Sequence, residues 1–403
     1  MISVEQAQQT IKEHVIDFGV EEISISNSVG RILRHPLITD RDLPPYDRVT
    51  MDGIAIRHEE YAAGLRSFQI DGVAAAGSAK LQLTNSSACL EVMTGAIMPG
   101  GVDTVIRYED LLIENQTATI QETAKVNQGQ NIHLKGSDRE QGTHVVQVGQ
   151  LIGQPEIGVA ASIGASKLQV SRIPKIVVIS TGDELVDIHE TPLDHQIRKS
   201  NVHMIVSMIS EWGGEVELLH LPDEYETIKE QLSALFTSAD CIILSGGVSK
   251  GKFDFLPKAL EELGVTKQFH KIKQRPGKPF WFGNLSDQVT VFALPGNPVS
   301  SFMCAIRYIQ PWIRQCIKCT KPLKLVAKLG ADIAFKPDLT FFPIVQTDIN
   351  KDGILIATPV NNNGSGDFAS LCEGNAFLEL PAGRDLYSKG EVFDCYTYRL
   401  VNR

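Results

Sequence analysis

The sequence predicts a multidomain protein: a central α/β domain built on a parallel sheet, a β-rich N-terminal region with an inserted module, and a small all-β C-terminal domain. Three observations support this fold class. Strands alternate with helices between residues 172 and 320, short β-favouring runs precede them, and no convincing helical pattern follows residue 321. At 403 residues the chain is also too long for a single core.

Composition limits the class of protein. The chain is 43% hydrophobic and 21% charged, as in globular proteins, and no window approaches 18 consecutive apolar residues, so no transmembrane helix and no membrane partner are expected. The N-terminus lacks the basic and apolar regions of a signal peptide, which predicts a cytoplasmic protein. The formal charge of −10 argues against a general nucleic-acid binder. Seven scattered cysteines indicate a reduced compartment.

Four segments follow from the patterns along the chain. Residues 1–20 predict a helix that packs on the α/β domain, opened by Ser3 with Gln6 as a weak capping box. Residues 21–171 form the β-rich region, with the inserted module at about 45–145. The α/β domain spans 172–320, and 321–403 form the C-terminal β domain.

Three predicted strands of the α/β domain end in glycine-containing loops. The carboxyl ends of parallel strands meet at one edge of a sheet, where α/β proteins bind their ligands. A strand, a glycine turn and a helix also suit a phosphorylated ligand, because free N–H groups at a helix start face the anion. The candidate binding residues in these loops are Gly182, Ser245, Gly246, Gly247, Pro295, Asn297 and Pro298.

Acidic residues follow the predicted strands of the same sheet. They are Asp183, Glu184, Asp223 and Asp254. A single acid at such a position more often caps a helix than binds a metal. Several carboxylates beside a phosphate-binding loop instead indicate Mg²⁺, a hard cation that takes oxygen ligands.

A cluster of cations lies between residues 271 and 278 of this acidic protein. Its members are Lys271, Lys273, Arg275 and Lys278, and prolines on either side stiffen the segment around the last two. A solvated loop is the simplest interpretation, but fixed cations also suit phosphate or an inorganic oxyanion. No Cys–His or Ser–His–Asp pattern stands out, which favours electrostatic positioning of anions over covalent catalysis.

With these residues in view, the chain resembles the molybdopterin molybdenumtransferase family, which is related to the C-terminal enzymatic part of gephyrin. The matching blocks occur in the family's order along the whole chain. They are Leu43-Pro44-Pro45-Tyr46-Asp47, Met51-Asp52-Gly53, Met93-Thr94-Gly95, Ser180 to Leu185, Ser200-Asn201, Ser245 to Ser249, Arg275 to Pro279, Leu294 to Pro298 and, more weakly, Gly364-Ser365-Gly366 with Ser370-Leu371.

The resemblance implies an elongated homodimer that inserts molybdate into adenylated molybdopterin, with metal-dependent release of AMP. The adenylyltransferase of the same pathway is an implied partner. By position, Glu184 and Asp254 would hold Mg²⁺. The residues implied around the pterin, phosphates or molybdate are Asp52, Thr94, Asn201, Asp223, Arg275 and Lys278.

Two other functions are weighed against this one. A pterin adenylyltransferase needs only the α/β unit, so the full β-rich N-terminal region and the C-terminal domain argue against it. A catalytically silent molybdopterin-binding scaffold is motivated by departures from the family pattern, of which Lys250 and Lys252 are the clearest. Arg198-Lys199, where the family often has an aromatic–acid pair, adds further positive charge, and Phe341-Phe342-Pro343 lacks an arginine. Molybdate and tungstate, which are similar oxyanions, both remain candidates.

Overall fold

The computed structural model describes residues 1–246, 255–286, 288–320 and 324–399. The chain forms two compact units. The first comprises residues 1–34, 149–152 and 168–403, and the second comprises 35–148 and 153–167. Within the described ranges no helix has the length and apolar character needed to cross a membrane.

The first unit is built around a six-stranded sheet. Its strands are β1 (Lys175–Thr181), β2 (Glu215–Leu221), β3 (Cys241–Ser245), β4 (Thr266–His270), β5 (Trp281–Leu285) and β6 (Val289–Leu294), in the spatial order β2-β1-β3-β6-β5-β4. Strands β2, β1, β3 and β6 are mutually parallel. The apolar side chains of β1, β3 and β6 are buried on both faces, as near-continuous hydrophobic runs require, whereas in the edge strand β2 only Leu221 is buried.

Helices cover both faces of this sheet. They are α1 (Val4–Glu13), α2 (Ser200–Glu211), α3 (Tyr225–Leu235), α4 (Leu256–Glu262), α5 (Pro298–Cys304) and α6 (Gln310–Cys316), with a π-helical turn at Ala305–Ile309. Ser3 caps α1 through the predicted capping box with Gln6. The apolar stripe of α1 joins one core with α2, α5 and α6, whereas α3 and α4 pack on the opposite face.

The central sheet is mixed rather than purely parallel. Strands β4 and β5 were not assigned from the sequence, and they add to β6 by antiparallel pairing. Their sequences explain the omission: β4 reads Thr-Lys-Gln-Phe-His, and β5 contains Gly283 and Asn284, so neither forms an apolar run. An antiparallel edge on an otherwise parallel sheet is a common arrangement.

The C-terminal part of the first unit is a closed five-stranded barrel. Its strands are Val326–Leu329, Leu355–Pro359, Ile344–Ile349, Ala376–Glu379 and Val392–Thr397, in that spatial order. Short pairs join Ile333–Ala334 with Leu386–Tyr387, and Gln274–Arg275 with Thr340–Phe341. The barrel also carries a four-residue helix, Ser370–Glu373, which the sequence analysis did not predict because one turn is too short to show periodicity.

A buried ion pair joins the α/β domain to this barrel. Arg307, in the π-helical turn, donates from Nε to Glu379 Oε2 at 2.8 Å. Their side chains are only 4% and 14% exposed. Arg307 also donates to Gln8 of α1, and the hydroxyl of Tyr396 donates to Glu379 at 2.8 Å. These extra partners satisfy the buried charges, as such a pair requires.

The second unit contains another six-stranded sheet. Its strands are Thr104–Arg107, Gly53–Ile56, Ala88–Val92, Ser67–Ala74, Thr117–Ile120 and Leu111–Glu114, in that spatial order. Two short pairs join Arg48–Val49 with Ile132–His133, and Leu37–Ile38 with His144–Val146. Two helices, His58–Ala62 and Gln154–Ser162, were not predicted in this β-rich region. In the first unit, Val20–Ser24 pairs with Lys167–Ser171, and a 3₁₀ turn spans Ile25–Asn27.

We expect Glu379→Gln to lower the free energy of unfolding by about 3 kcal/mol, because it leaves the buried Arg307 cation without its counter-ion. Chemical denaturation provides the measurement. Glu262→Gln is the matched control, since Glu262 pairs with lysines but is 39% exposed, and its loss should cost no more than about 1 kcal/mol. Equal losses in the two variants would contradict the assignment of the Arg307–Glu379 pair as a stabilising link.

Candidate functional site

The loops predicted to converge do leave the sheet at one edge. Thr181 of β1 pairs with Leu221 of β2, and Ser245 of β3 lies opposite both Ser180 and Leu294 of β6. The backbone N–H of Gly246 also donates to the Leu294 carbonyl at 3.2 Å. The four parallel strands therefore end together, and the loops that follow them share one side of the sheet.

A cavity of about 570 Å³ lies at this edge. The loop after β1, the end of β3, the loop before α5 and the start of α2 form its walls, and the C-terminal part of the chain adds Gly366 and Phe368. Its lining includes Ser245, Gly246 and Pro298 of the predicted binding loops, together with Thr181, Glu184, Asn201 and Gly296, whereas Gly182, Pro295 and Asn297 do not line it. This volume is ample for a nucleotide-sized ligand.

Two asparagines tie the walls of the site together. Asn201 Nδ2, in the first turn of α2, donates to the Gly296 carbonyl at 2.6 Å. Asn297 Nδ2 donates to Ser365 Oγ at 2.7 Å and so reaches the C-terminal domain. Both asparagines were predicted site residues, whereas Ser365 was not, since only a weak block of resemblance contains it.

The first turn of α2 is a second place where an anion fits. Ser200, Asn201 and Val202 line the cavity, and no side chain caps the helix start. Uncapped N–H groups at a helix N-terminus attract negative charge. The phosphate-binding turn predicted from the sequence is the one after β3, and the start of α2 was not predicted as an anion site.

Three of the acidic residues named from the sequence, Asp183, Glu184 and Asp223, lie near one another, and Glu184 lines the cavity. The backbone N–H of Asp223 donates to Asp183 Oδ1 at 3.3 Å. Burial raises the pKa of Asp223, and the negative charges of Asp183 and Glu184 raise it further. The structure thus concentrates acids that repel one another, and an oxygen-binding cation would relieve that repulsion.

Gly182 makes room for the Glu184 carboxylate. Gly182 has a φ of +128°, a conformation that favours glycine. A Cβ at this position would lie 2.5 Å from Glu184 Oε2. A side chain at position 182 would therefore strain the turn after β1 and displace the Glu184 carboxylate.

A loop between Leu185–Val186 and Ile197–Arg198 forms the outer wall of the cavity. These two short strands pair in parallel, and Lys199 Nζ bonds Asp187 Oδ1 at 3.0 Å. The Lys199 side chain is 11% exposed, and its hydrogen bond lowers the pKa of Asp187. Lys199, which departs from the family pattern, thus closes the base of this loop and places a cation against the cavity.

The cationic turn reaches the same edge because β4 and β5 run antiparallel. The chain leaves β4 at the carboxyl edge of the parallel strands and returns along β5. A cavity of about 490 Å³ lies between this turn and the loop before α5, lined by Arg275, Lys278, Pro295 and Asn297. A smaller space of about 200 Å³ separates Arg275 from aromatic residues of the C-terminal domain. The structure therefore unites Arg275 and Lys278 with the Pro295–Pro298 loop.

Asp52 and Thr94 belong to the second unit, and the fold brings them together there. The backbone N–H of Thr94 donates to Asp52 Oδ1 at 2.6 Å, which lowers the pKa of that carboxyl. Both residues are exposed. The pair thus holds an ionised carboxylate in a fixed position on the surface of its unit.

Five positions named from the sequence lie outside the described residues. They are Gly247, Ser249, Lys250, Lys252 and Asp254.

Three segments of the chain match models of known protein families. Residues 177–315 match a family model described as a probable molybdopterin binding domain. Residues 2–164 match the MoeA N-terminal region (domain I and II), and 326–398 match the MoeA C-terminal region (domain IV). The matches follow the family's order over nearly the whole chain.

The chain belongs to the MoeA family, which confirms the resemblance predicted from its motifs. It is 37% identical to a molybdopterin molybdenumtransferase of Synechocystis sp., over 99% of this chain and 100% of that relative. It is 30% identical to one of Haemophilus influenzae, over 97% of each. A crystal structure of a molybdopterin biosynthesis MoeA protein from Pyrococcus horikoshii superposes with a TM-score of 0.85 at 27% identity, covering 99% of each chain.

We expect Asp223→Asn to stabilise the protein at pH 7 without added metal. The pKa of Asp223 is higher in the folded protein than in the unfolded chain, so ionisation of this carboxyl lowers the free energy of unfolding at pH 7. The destabilisation disappears once the pH falls below both pKa values, because Asp223 is then protonated in both states. The gain should stay below about 1 kcal/mol, because solvent screens a half-exposed carboxylate. Thermal unfolding at pH 7 and pH 4 provides the measurement.

Asp194→Asn is the matched control, because it removes the same charge from an exposed position outside the acidic cluster. A gain that is equal in both variants, or equal at the two pH values, would contradict a specific repulsion at Asp223.

Proposed function

We propose that this chain inserts molybdenum, supplied as molybdate, into adenylated molybdopterin and releases AMP in a metal-dependent step. The observation that carries the proposal is that one sheet edge joins an acidic group, a nucleotide-sized cavity and a cationic turn. These three features suit a substrate with phosphates and a second, inorganic anion. Membership of the MoeA family and the names of its relatives support the same function.

In this proposal the acidic group holds Mg²⁺. Glu184 would supply a carboxylate oxygen of the kind this cation prefers, and the nearby charges of Asp183 and Asp223 would add to the negative potential that attracts it. Asp254 is the further ligand expected from the sequence. When bound, Mg²⁺ would neutralise charge on the phosphates.

The remaining residues bind and orient the two anions. The uncapped first turn of α2 and the Ser245–Gly246 turn line the larger cavity and would receive the adenylate phosphates. Arg275 and Lys278 would hold molybdate beside the Pro295–Pro298 loop. Hydrolysis of the phosphoanhydride bond by water would give AMP and the molybdopterin phosphate monoester. The dithiolene sulfurs would replace oxygen ligands of molybdate, which leave as water with the thiol protons. The family resemblance also supports a part in the reaction for Asp52, whose carboxylate is held by Thr94.

The assembly and compartment are further parts of the proposal. The family resemblance supports a homodimer and delivery of the substrate by the adenylyltransferase of the same pathway. All seven cysteines are free thiols and five are buried, which supports a reducing compartment such as the cytoplasm.

The decisive experiment measures AMP release from adenylated molybdopterin, with molybdate present or absent and with Mg²⁺ added or chelated. We expect release only when both are supplied. Glu184→Gln should slow it about 100-fold or more, as when one group that stabilises developing charge is removed. Glu217→Gln, an exposed acid on β2, is the matched control and should keep full activity.

Two results would contradict this function and favour one of the two alternatives. Tight binding of the pterin without AMP release under any metal would favour a scaffold. Consumption of ATP with free molybdopterin would favour an adenylyltransferase. Tungstate in place of molybdate tests which oxyanion the cationic turn accepts.

A further inference from the structure

We infer that Gln274 and Tyr308 are positioning residues that hold the cationic turn in the geometry that binds the oxyanion. This inference rests on the proposed function, in which Arg275 and Lys278 bind molybdate. Neither Gln274 nor Tyr308 carries a charge, and neither belongs to the motifs that mark the family in this sequence.

A buried chain of hydrogen bonds supports the turn from behind. The hydroxyl of Tyr308 donates to Gln274 Oε1 at 2.5 Å, and Gln274 Nε2 donates to the Gly277 carbonyl at 3.1 Å. Gln274 Nε2 also lies 3.5 Å from Cys304 Sγ. Gln274 is fully buried and Tyr308 is 2% exposed, so no water competes for these bonds.

The orientation of the Gln274 amide follows from its partners. The Gly277 carbonyl can only accept, so the amide NH₂ group must face it, and the amide oxygen must face the Tyr308 hydroxyl. Each end of the side chain therefore has one defined role. Such a fully satisfied buried network fixes one backbone conformation, whereas a partly satisfied one would be costly.

Gly277 is tightly packed against the side chains behind the turn. A Cβ on Gly277 would lie 2.6 Å from Cys304 Sγ and 2.7 Å from Gln274 Nε2. The ring of Tyr308 also stacks on Phe280 at the end of the turn, with centroids 5.2 Å apart. The backbone between the two cations is thus pressed against the helix that carries Tyr308 and Cys304.

The cations themselves extend from this anchored backbone into the cavity. Arg275 and Lys278 are exposed, whereas Gln274, Pro276 and Gly277 are buried. Long side chains on a mobile backbone lose entropy when they grip an anion, so a fixed backbone makes binding tighter without any new contact. Loss of the network should therefore weaken oxyanion binding more than the chemical step.

The test compares Tyr308→Phe, which removes only the hydroxyl, with Gln274→Met, which removes the amide. Calorimetric titration with molybdate gives Kd, and AMP release gives kcat and the KM for molybdate. We expect Kd and KM to rise about threefold to tenfold, the effect of losing one buried hydrogen bond. At saturating molybdate kcat should stay within about twofold of the unchanged protein.

Tyr396→Phe is the matched control, because it removes a half-buried hydroxyl that bonds Glu379 in the same unit rather than the turn. It should leave the molybdate Kd unchanged. The inference is overturned if either folded variant keeps the Kd of the unchanged protein, or if kcat falls while KM does not. A failure of the unchanged protein to bind molybdate would instead overturn the proposed function.

Discussion

The parallel pairing of β2, β1, β3 and β6 is the constraint on which the rest of the site depends. Because the four strands share one direction and end in register, every loop that follows them must leave at the same edge. Strands β4 and β5 pair antiparallel, and the connection between them, which carries the cationic turn, lies at the same edge. Residues more than a hundred positions apart in sequence, such as Glu184 and Gly296, therefore line the same cavity.

The order of the strands also separates the charges. The acids follow β1 and β2 at one side of the sheet, whereas Arg275 and Lys278 lie on the connection between β4 and β5 at the other. Between them, the Pro295–Pro298 loop that follows β6 carries no charge. A ligand that spans the described part of this edge therefore meets carboxylates suited to a cation at one side and cations at the other. Such a gradient imposes one orientation on an asymmetric polyanion.

Much of this arrangement could be predicted from the sequence, since apolar runs such as Cys241–Leu244 identify buried parallel strands and glycine loops mark their ends. The parts that could not be predicted depend on tertiary contacts. The pairing of Lys199 with Asp187 crosses a loop, and the burial of Gln274 has no local signal, because a glutamine between charged residues reads as exposed. The strands β4 and β5 were missed for the same reason: their neighbours, and not their own composition, make them strands.

The buried pair of Arg307 and Glu379 has a consequence for how this architecture is inherited. Because the guanidinium of Arg307 is buried where the two domains meet, the stability of the α/β domain depends on an acidic residue in the barrel. If recombination joined this α/β domain to a barrel without an acid at position 379, the buried Arg307 would have no counter-ion. The two domains are therefore expected to be inherited together.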